Sequence, residues 1–399
     1  MSFGITNVII KYNFFGIQDS MDILYDHQAF RTGRFSGIPR YFSELILQYK
    51  IDVGITPILP EFWTINQDYR NLRVCEQNIT WDVRDKVVSL AQHYFHQNPS
   101  RLLDGAERKT IQLLEKQEFD VFHPTRLEPY FLKHIGKKPY VLTIHDLTYE
   151  KYPEYFPLST KVRENTRNVV EHASQFIADS ENTKLDFIQY YDVDYDLVNV
   201  IYLGSLFEKY QIPHTDDPIE VIETKYLLYV GERSPHKNIY HFILAIRSLL
   251  KEGGCRLICV GGGPFRSDEI KYLQALGVND VVSQETVSDQ KLIHLYQHAL
   301  AFVFPSMNEG FGLPILEAFS CGCPVICSGT SCLPEIGGDA AIYFDPKDAV
   351  SIMHAVNMLI DDGDVRRKMI IKGYEQLAKF SWKKCADETK KVYEKVLEG

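Results

Sequence analysis

Two glutamates are separated by seven residues in the stretch Glu309-Gly-Phe-Gly-Leu-Pro-Ile-Leu-Glu317, which directly follows the apolar run Ala301–Ser306. Gly310 and Gly312 would let the backbone approach a ligand closely. Pro314 suits the first turn of a helix. Glu317 would then sit about one turn into that helix, where free N–H groups and the helix dipole favour a phosphate. One carboxylate is suited to sugar hydroxyls and the other to a ribose diol. The bland alternative is a glycine-rich turn that enters a helix with a favourable charge.

A second group, Gly231-Glu-Arg233-Ser-Pro-His-Lys237-Asn, follows the apolar run Tyr226–Gly231. Arg233 offers a planar fork and Lys237 a point charge, and the two together would neutralise a diphosphate. Two solvated surface cations are the alternative. Ser36-Gly37-Ile38 opens the first long helical pattern, where a glycine lets a phosphate or a hydroxyl lie against the helix N-terminus. His145-Asp146 ends the run Tyr140–Asp146, a position from which a histidine would touch a ligand; a satisfied loop histidine is the alternative.

Other patterns are decoys. Asp192-Val-Asp194-Tyr-Asp196 has the spacing by which carboxylates hold Mn²⁺ or Mg²⁺, but it lies in a polar, tyrosine-rich segment and reads as a solvated turn. Gly261-Gly262-Gly263 lacks the spacing of a dinucleotide fingerprint. Cys321, Cys323, Cys327 and Cys332 do not form paired CxxC ligands and read as small buried thiols, as expected of a reduced cytoplasmic compartment. Asn78-Ile-Thr80 is a formal glycosylation sequon without meaning in that compartment. No metal site is expected.

The elements that must position these residues alternate along the chain. Strand-like runs begin at Met21 and continue at Asp120–Pro124, Tyr140–Asp146, Gln175–Ser180 and Asn199–Gly204, with helical spacing at Ile38–Tyr49, Asp104–Gln117 and Lys161–His172. A polar stretch, Phe207–Lys225, reads as a linker. The pattern then restarts with strands at Tyr226–Gly231, Arg256–Gly263, Ala301–Ser306, Pro324–Gly329 and Ala340–Asp345, and a helix at Ile239–Lys251. Such alternation implies parallel sheets wrapped by helices, and the 399 residues suit two domains. Ligands of open α/β sheets bind outside the carboxyl ends of the strands, where all four groups fall.

Net charge is −10, and neither half is basic: residues 1–210 carry 23 Lys and Arg against 28 Asp and Glu. A duplex nucleic-acid partner is therefore disfavoured. No run is apolar enough to span a bilayer, and the first twenty residues do not form a secretory signal.

Taken in chain order, these motifs resemble the retaining GT-B glycosyltransferases of family 4. The resemblance includes Pro264 after the three glycines, Val287-Ser-Asp289, the continuation from Glu317 through Cys321-Gly-Cys-Pro-Val-Ile, Pro334-Glu335 and Gly337-Gly338. It covers about residues 21–399 and is most specific over 301–345. The stretches YDHQAF, FSGIPRYF and LTIHDLTYEKYPEYF look most like the bacterial mannosyltransferase branch that builds O-antigen and other surface polysaccharides. Ser36 stands where a second glycine is usual, and the first twenty residues fall outside the pattern, as either an extra arm or a start-codon artefact.

The resemblance implies two Rossmann-like parallel α/β domains facing a cleft, 1–210 on the acceptor side and 211–380 binding the nucleotide sugar. The helix within 381–399 would cross back to the first domain. Arg233, Lys237, Glu309 and His145 would form the catalytic set. Gly37, Gly231, Phe311, Gly312, Leu313 and Glu317 would bind the donor, with Glu317 on the ribose. The implied enzyme is a metal-independent hexosyltransferase without a cofactor. It would pass a sugar, with GDP-mannose favoured over a UDP sugar, to a glycan or lipid-linked glycan, in the cytoplasm or at the inner membrane surface. A sugar-nucleotide epimerase and an inactive binding subunit are the alternatives; the latter is disfavoured because Arg233, Lys237, Glu309 and Glu317 are all present.

Overall fold

A computed structural model describes residues 20–31, 37–51, 54–64, 66–72, 105–208, 225–360 and 362–398. Ser36, Asn78-Ile-Thr80, most of the expected linker and nearly all of the expected N-terminal arm lie outside the described residues.

The first unit contains strands β1 (Met21–Tyr25), β2 (Ile55–Ile58), β3 (Val121–His123), β4 (Val141–Ile144), β5 (Gln175–Ala178) and β6 (Val198–Val200). They form two three-stranded parallel sheets, ordered β2-β1-β3 and β4-β5-β6, joined by a parallel bridge from Phe122 to Tyr140. The second unit contains β7 (Tyr226–Val230), β8 (Arg256–Val260), β9 (Val282–Glu285), β10 (Ala301–Phe304), β11 (Val325–Ser328) and β12 (Ala341–Phe344). These make one parallel sheet ordered β12-β11-β10-β7-β8-β9. The order reverses between β7 and β10, so the crevice of this doubly wound sheet opens beyond their carboxyl ends.

The inner strands β4, β5, β10 and β11 are buried at every residue, which is why they read as continuous apolar runs. The strands β2 and β9 went unrecognised in the sequence. Both are edge strands with one buried residue each, so they lack that apolar signature. The expected helix over Ile239–Lys251 breaks at Ile246 into Ile239–Ala245 and Arg247–Lys251. Among the described residues, no helix is long and apolar enough to cross a membrane.

The helix Trp382–Glu398 belongs to the end of the chain but packs on the helix Gly37–Tyr49 and on β3 and β5 of the first unit. Trp382 Nε1 donates to the carbonyl of Ser205 at 3.1 Å. The Tyr393 hydroxyl meets Tyr25 at 2.9 Å and His123 Nδ1 at 2.6 Å inside the core. Gly204 is required here, since a Cβ would lie 2.3 Å from the Trp382 nitrogen.

Candidate active site

The loops after β7 and β10 meet where the sheet order reverses. The Met307 amide donates to the His236 carbonyl at 2.8 Å and ties the two loops together. That tie brings Lys237, at the end of a short 3₁₀ turn Pro235–Lys237, to Glu309. Lys237 Nζ donates to both carboxylate oxygens of Glu309, at 2.7 and 2.8 Å. Burial alone would lower the Lys237 pKa, but the Glu309 charge outweighs it and holds the ammonium above its ordinary value. The Glu309 backbone is pinned from the other side: its amide donates to Ser331 Oγ at 3.1 Å, and its carbonyl accepts from Ser331 Oγ and Cys332 Sγ, both at 3.2 Å.

The pair opens onto a cleft of about 610 Å³ between the two units. On the second unit it is lined by Gly231, Glu232, His236, Lys237, Gly261, Gly262 and the run from Glu309 to Pro314. Gly312, at φ +95°, turns the chain into the helix Leu313–Ser320, with Pro314 in its first turn. On the first unit the cleft is lined by Gly37, Ile38, Tyr41, His145, Asp146 and Asp179. Gly37 begins the helix Gly37–Tyr49 at the cleft, and among the described residues a Cβ on it would meet nothing within 4 Å. The structure thus gathers eight of the ten expected site residues: Lys237, Glu309, His145, Gly37, Gly231, Phe311, Gly312 and Leu313.

The other two are placed differently. Arg233 is not among the residues that line the cleft in this structure. It is 4% exposed, packed behind the lining residues Gly261 and Gly262, while its neighbour Glu232 lines the cleft. Its Nε donates to Glu269 at 3.0 Å, and its terminal nitrogens donate to the carbonyls of Gly261 at 2.8 Å, Gly263 at 2.9 Å and Pro264 at 3.2 Å. The guanidinium therefore braces the glycine loop, whose residues Gly261, Gly262 and Gly263 have φ of +94°, +66° and +70°. Burial would raise the Glu269 pKa, but hydrogen bonds from Arg233, Tyr240 and the Arg266 amide hold it near about 2. Glu317 also lies off the cleft lining. It is 5% exposed, accepts from the Tyr296 hydroxyl at 3.0 Å, and has its pKa raised by burial against the opposing charge of Arg40.

Gly310, which lines the cleft, has a further reason to be glycine. A Cβ there would lie 1.4 Å from the carbonyl oxygen of His145 across the cleft. The glycine serves the approach of one unit to the other. The Gly310 carbonyl accepts from Ser180 Oγ at 2.7 Å and Thr183 Oγ1 at 3.1 Å. Glu335 of the second unit accepts from the amides of Glu181 and Asn182, at 2.7 and 3.2 Å, and so caps the helix Glu181–Tyr191 of the first. Arg40 spans the same divide to Asp289 at 3.1 Å.

Sequence reasoning passed over Asp179, Glu232 and His236. The signal for Asp179 was available, since it directly follows a strand, as His145 does. The decoys resolve as local structure. Asp192 is an exposed left-handed cap at φ 53°, and Asp194 accepts from the Asp196 amide at 3.0 Å; none of the three carboxylates lines the cleft. Cys321, Cys323, Cys327 and Cys332 are free and buried, and burial pushes the Cys323 thiol up to about 12. Among the described residues, no cluster of His, Cys, Asp and Glu could hold a metal ion.

Comparison with known proteins converges on one family. Residues 216–376 match the family described as Glycosyl transferases group 1, and residues 72–205 match Glycosyltransferase Family 4. The chain is 31% identical over 267 residues to an Escherichia coli O-antigen chain mannosyltransferase B, covering 63% of this chain and 69% of that one. It is 31% identical over 221 residues to an O-antigen chain mannosyltransferase of Salmonella typhimurium, covering 54% and 59%. Among solved structures, Anabaena HepE in complex with UDP and glucose superposes with a TM-score of 0.69 at 18% identity, covering 93% of this chain and 98% of that one. The sucrose-phosphate synthase of Thermosynechococcus elongatus gives 0.68 at 16% identity, covering 95% and 99%. With both halves matched and the fold shared, the chain belongs to the group 1, family 4 glycosyltransferases of the GT-B fold.

Proposed function

We propose that this glycosyltransferase moves a hexose, mannose in our reading, from a nucleoside diphosphate sugar to a hydroxyl of a growing surface glycan, with retention and without a metal. The observation that carries this reading is the Lys237–Glu309 pair at the mouth of the helix Leu313–Ser320, facing His145 across the cleft. Lys237 is the single lysine or arginine among the described residues lining that cleft. A diphosphate would draw the ammonium from Glu309 and take further hydrogen bonds from the amides around Gly312 and Leu313. Glu309, released, would accept from hydroxyls of the sugar.

In the reaction the bond from the anomeric carbon to the β-phosphate oxygen breaks, and charge builds on that oxygen. Lys237 and the helix N-terminus stabilise it there. The acceptor oxygen bonds to the anomeric carbon on the same face, and its proton passes to the departing phosphate. Glu317 is the residue we assign to the ribose; its carboxylate accepts from Tyr296 in this structure. The O-antigen mannosyltransferase relatives support mannose, and the UDP complexes among the solved structures support the competing base; a cytoplasmic site of action, at or near the inner membrane surface, is part of the proposal. Calorimetric titration of GDP and UDP tests the donor. Binding of GDP well above that of UDP is expected, and tight UDP binding with none for GDP would discard GDP-mannose. The anomeric configuration of the product, read by NMR, tests retention; an inverted product would overturn it.

A further inference from the structure

Asp179 and His145 are brought together by strand register. In the parallel pair β4–β5, Thr143 lies beside Ile177 and Ile144 beside Ala178. The next residue on each strand, His145 and Asp179, therefore leaves the sheet side by side at its carboxyl edge. His145 Nδ1 and Asp179 Oδ2 are 2.7 Å apart. Asp179 is 4% exposed, and both residues line the cleft. The imidazole is boxed by the ring of Tyr41, 5.0 Å away at 79°, and that of Phe42, 6.1 Å away at 87°. Its other nitrogen, Nε2, is buried and makes no hydrogen bond among the described residues; the same holds for Asp179 Oδ1.

A buried ring nitrogen without a partner, beside a cleft that takes a polyol, is a hydrogen-bonding position held open. A carboxylate can only accept, so the proton of a neutral imidazole is placed on Nδ1 and Nε2 is left with a lone pair. We propose that Asp179 is a positioning residue for sugar transfer, which fixes His145 as the Nδ1–H tautomer so that Nε2 accepts a hydrogen bond from a hydroxyl of the sugar being transferred. This rests on the proposed transferase reading of the cleft. A sugar hydroxyl both donates and accepts, and so would a water in its place. Fixing Nε2 as an acceptor sets the direction of that bond before the sugar arrives, and the rings of Tyr41 and Phe42 stand edge-on to the imidazole.

Asp179→Ala removes the acceptor from Nδ1. Asp179→Asn keeps a neutral oxygen that can still accept from it. In protein labelled with ¹⁵N-histidine, with the His145 signals identified by their loss in His145→Gln, the wild type is expected to show the Nδ1–H tautomer. Asp179→Ala is expected to shift toward Nε2–H, and Asp179→Asn to restore much of the wild-type pattern. Turnover is expected to fall roughly ten- to a hundredfold in Asp179→Ala, mainly in kcat, with substantial recovery in Asp179→Asn. In His145→Gln, adding Asp179→Ala should do no further harm, because the two act through one contact. A melting temperature near that of the wild type checks that each variant is folded. The nitrogen shifts are read without any donor, so a wrong donor assignment leaves that arm intact. An unchanged tautomer in Asp179→Ala, turnover within twofold of wild type, or full additivity of the double variant would each overturn the proposal.

Discussion

Gly310→Ala places one methyl group where the two units touch. The added Cβ would lie 1.4 Å from the His145 carbonyl oxygen, 2.6 Å from its carbon and 3.1 Å from Asp146 Cβ. Carbon and oxygen settle at about 3.3 Å, so the loop must retreat by roughly 2 Å. No rotamer can absorb that, because the clash is with backbone. Gly310 has no left-handed φ, so the effect is steric and not torsional. A retreat of that size breaks the bonds from Ser180 and Thr183 to the Gly310 carbonyl, now 2.7 and 3.1 Å. It also strains the bond from Asn308 Nδ2 to Thr148 Oγ1, now 3.0 Å. At about 1 kcal/mol for each of the two broken bonds and up to that for the strained one, the closed arrangement loses about 2–3 kcal/mol against the open one, a factor of roughly thirty to a hundred in their ratio. In the proposed reading turnover requires Glu309 and Lys237 to face His145, so kcat/KM should fall by a similar factor. Small-angle scattering should show a larger radius of gyration. Gly363→Ala, where a Cβ would meet nothing within 4 Å, is the control and should behave as wild type. Turnover within threefold of wild type in Gly310→Ala, with unchanged scattering, would refute the reasoning.

Arg233→Ala should act on stability before chemistry: Glu269, 2% exposed, loses its buried partner, and urea unfolding should show a loss of about 3–5 kcal/mol. A variant of wild-type stability but without turnover would instead mark Arg233 as a direct phosphate ligand. The acid limb follows from Glu269, whose pKa drops from 4.5 unfolded to about 2 folded. Its contribution to stability is full above about pH 4.5 and is lost as pH falls toward 2, so the wild type should weaken through that window and Arg233→Ala should weaken less steeply there. Chelation should leave transfer intact, because Asp192, Asp194 and Asp196 serve as caps and turn residues outside the cleft; loss of activity with EDTA that Mn²⁺ restores would overturn this.

Local pattern in the sequence determined the two parallel α/β units, the strands buried on both faces, and the loops that follow them. Those features depend on periodicity and on neighbours in the chain, and Glu309, Lys237, His145 and Gly37 could be placed at strand or helix ends from text alone. The edge strands β2 and β9 were illegible because half-exposed strands carry no continuous apolar run. Tertiary structure decided the direction of each side chain. Glu232 and Arg233 are adjacent in sequence, yet one lines the cleft and the other braces a loop, because only the fold supplies Glu269 and the carbonyls that take up the guanidinium. It also decided which residues became partners: His145 and Asp179 are 34 positions apart and meet through strand register, and Gly310 is glycine because a backbone 165 residues earlier passes through the space a Cβ would need. Register between strands and contact between domains are set by packing over the whole chain, and no spacing within a motif encodes them.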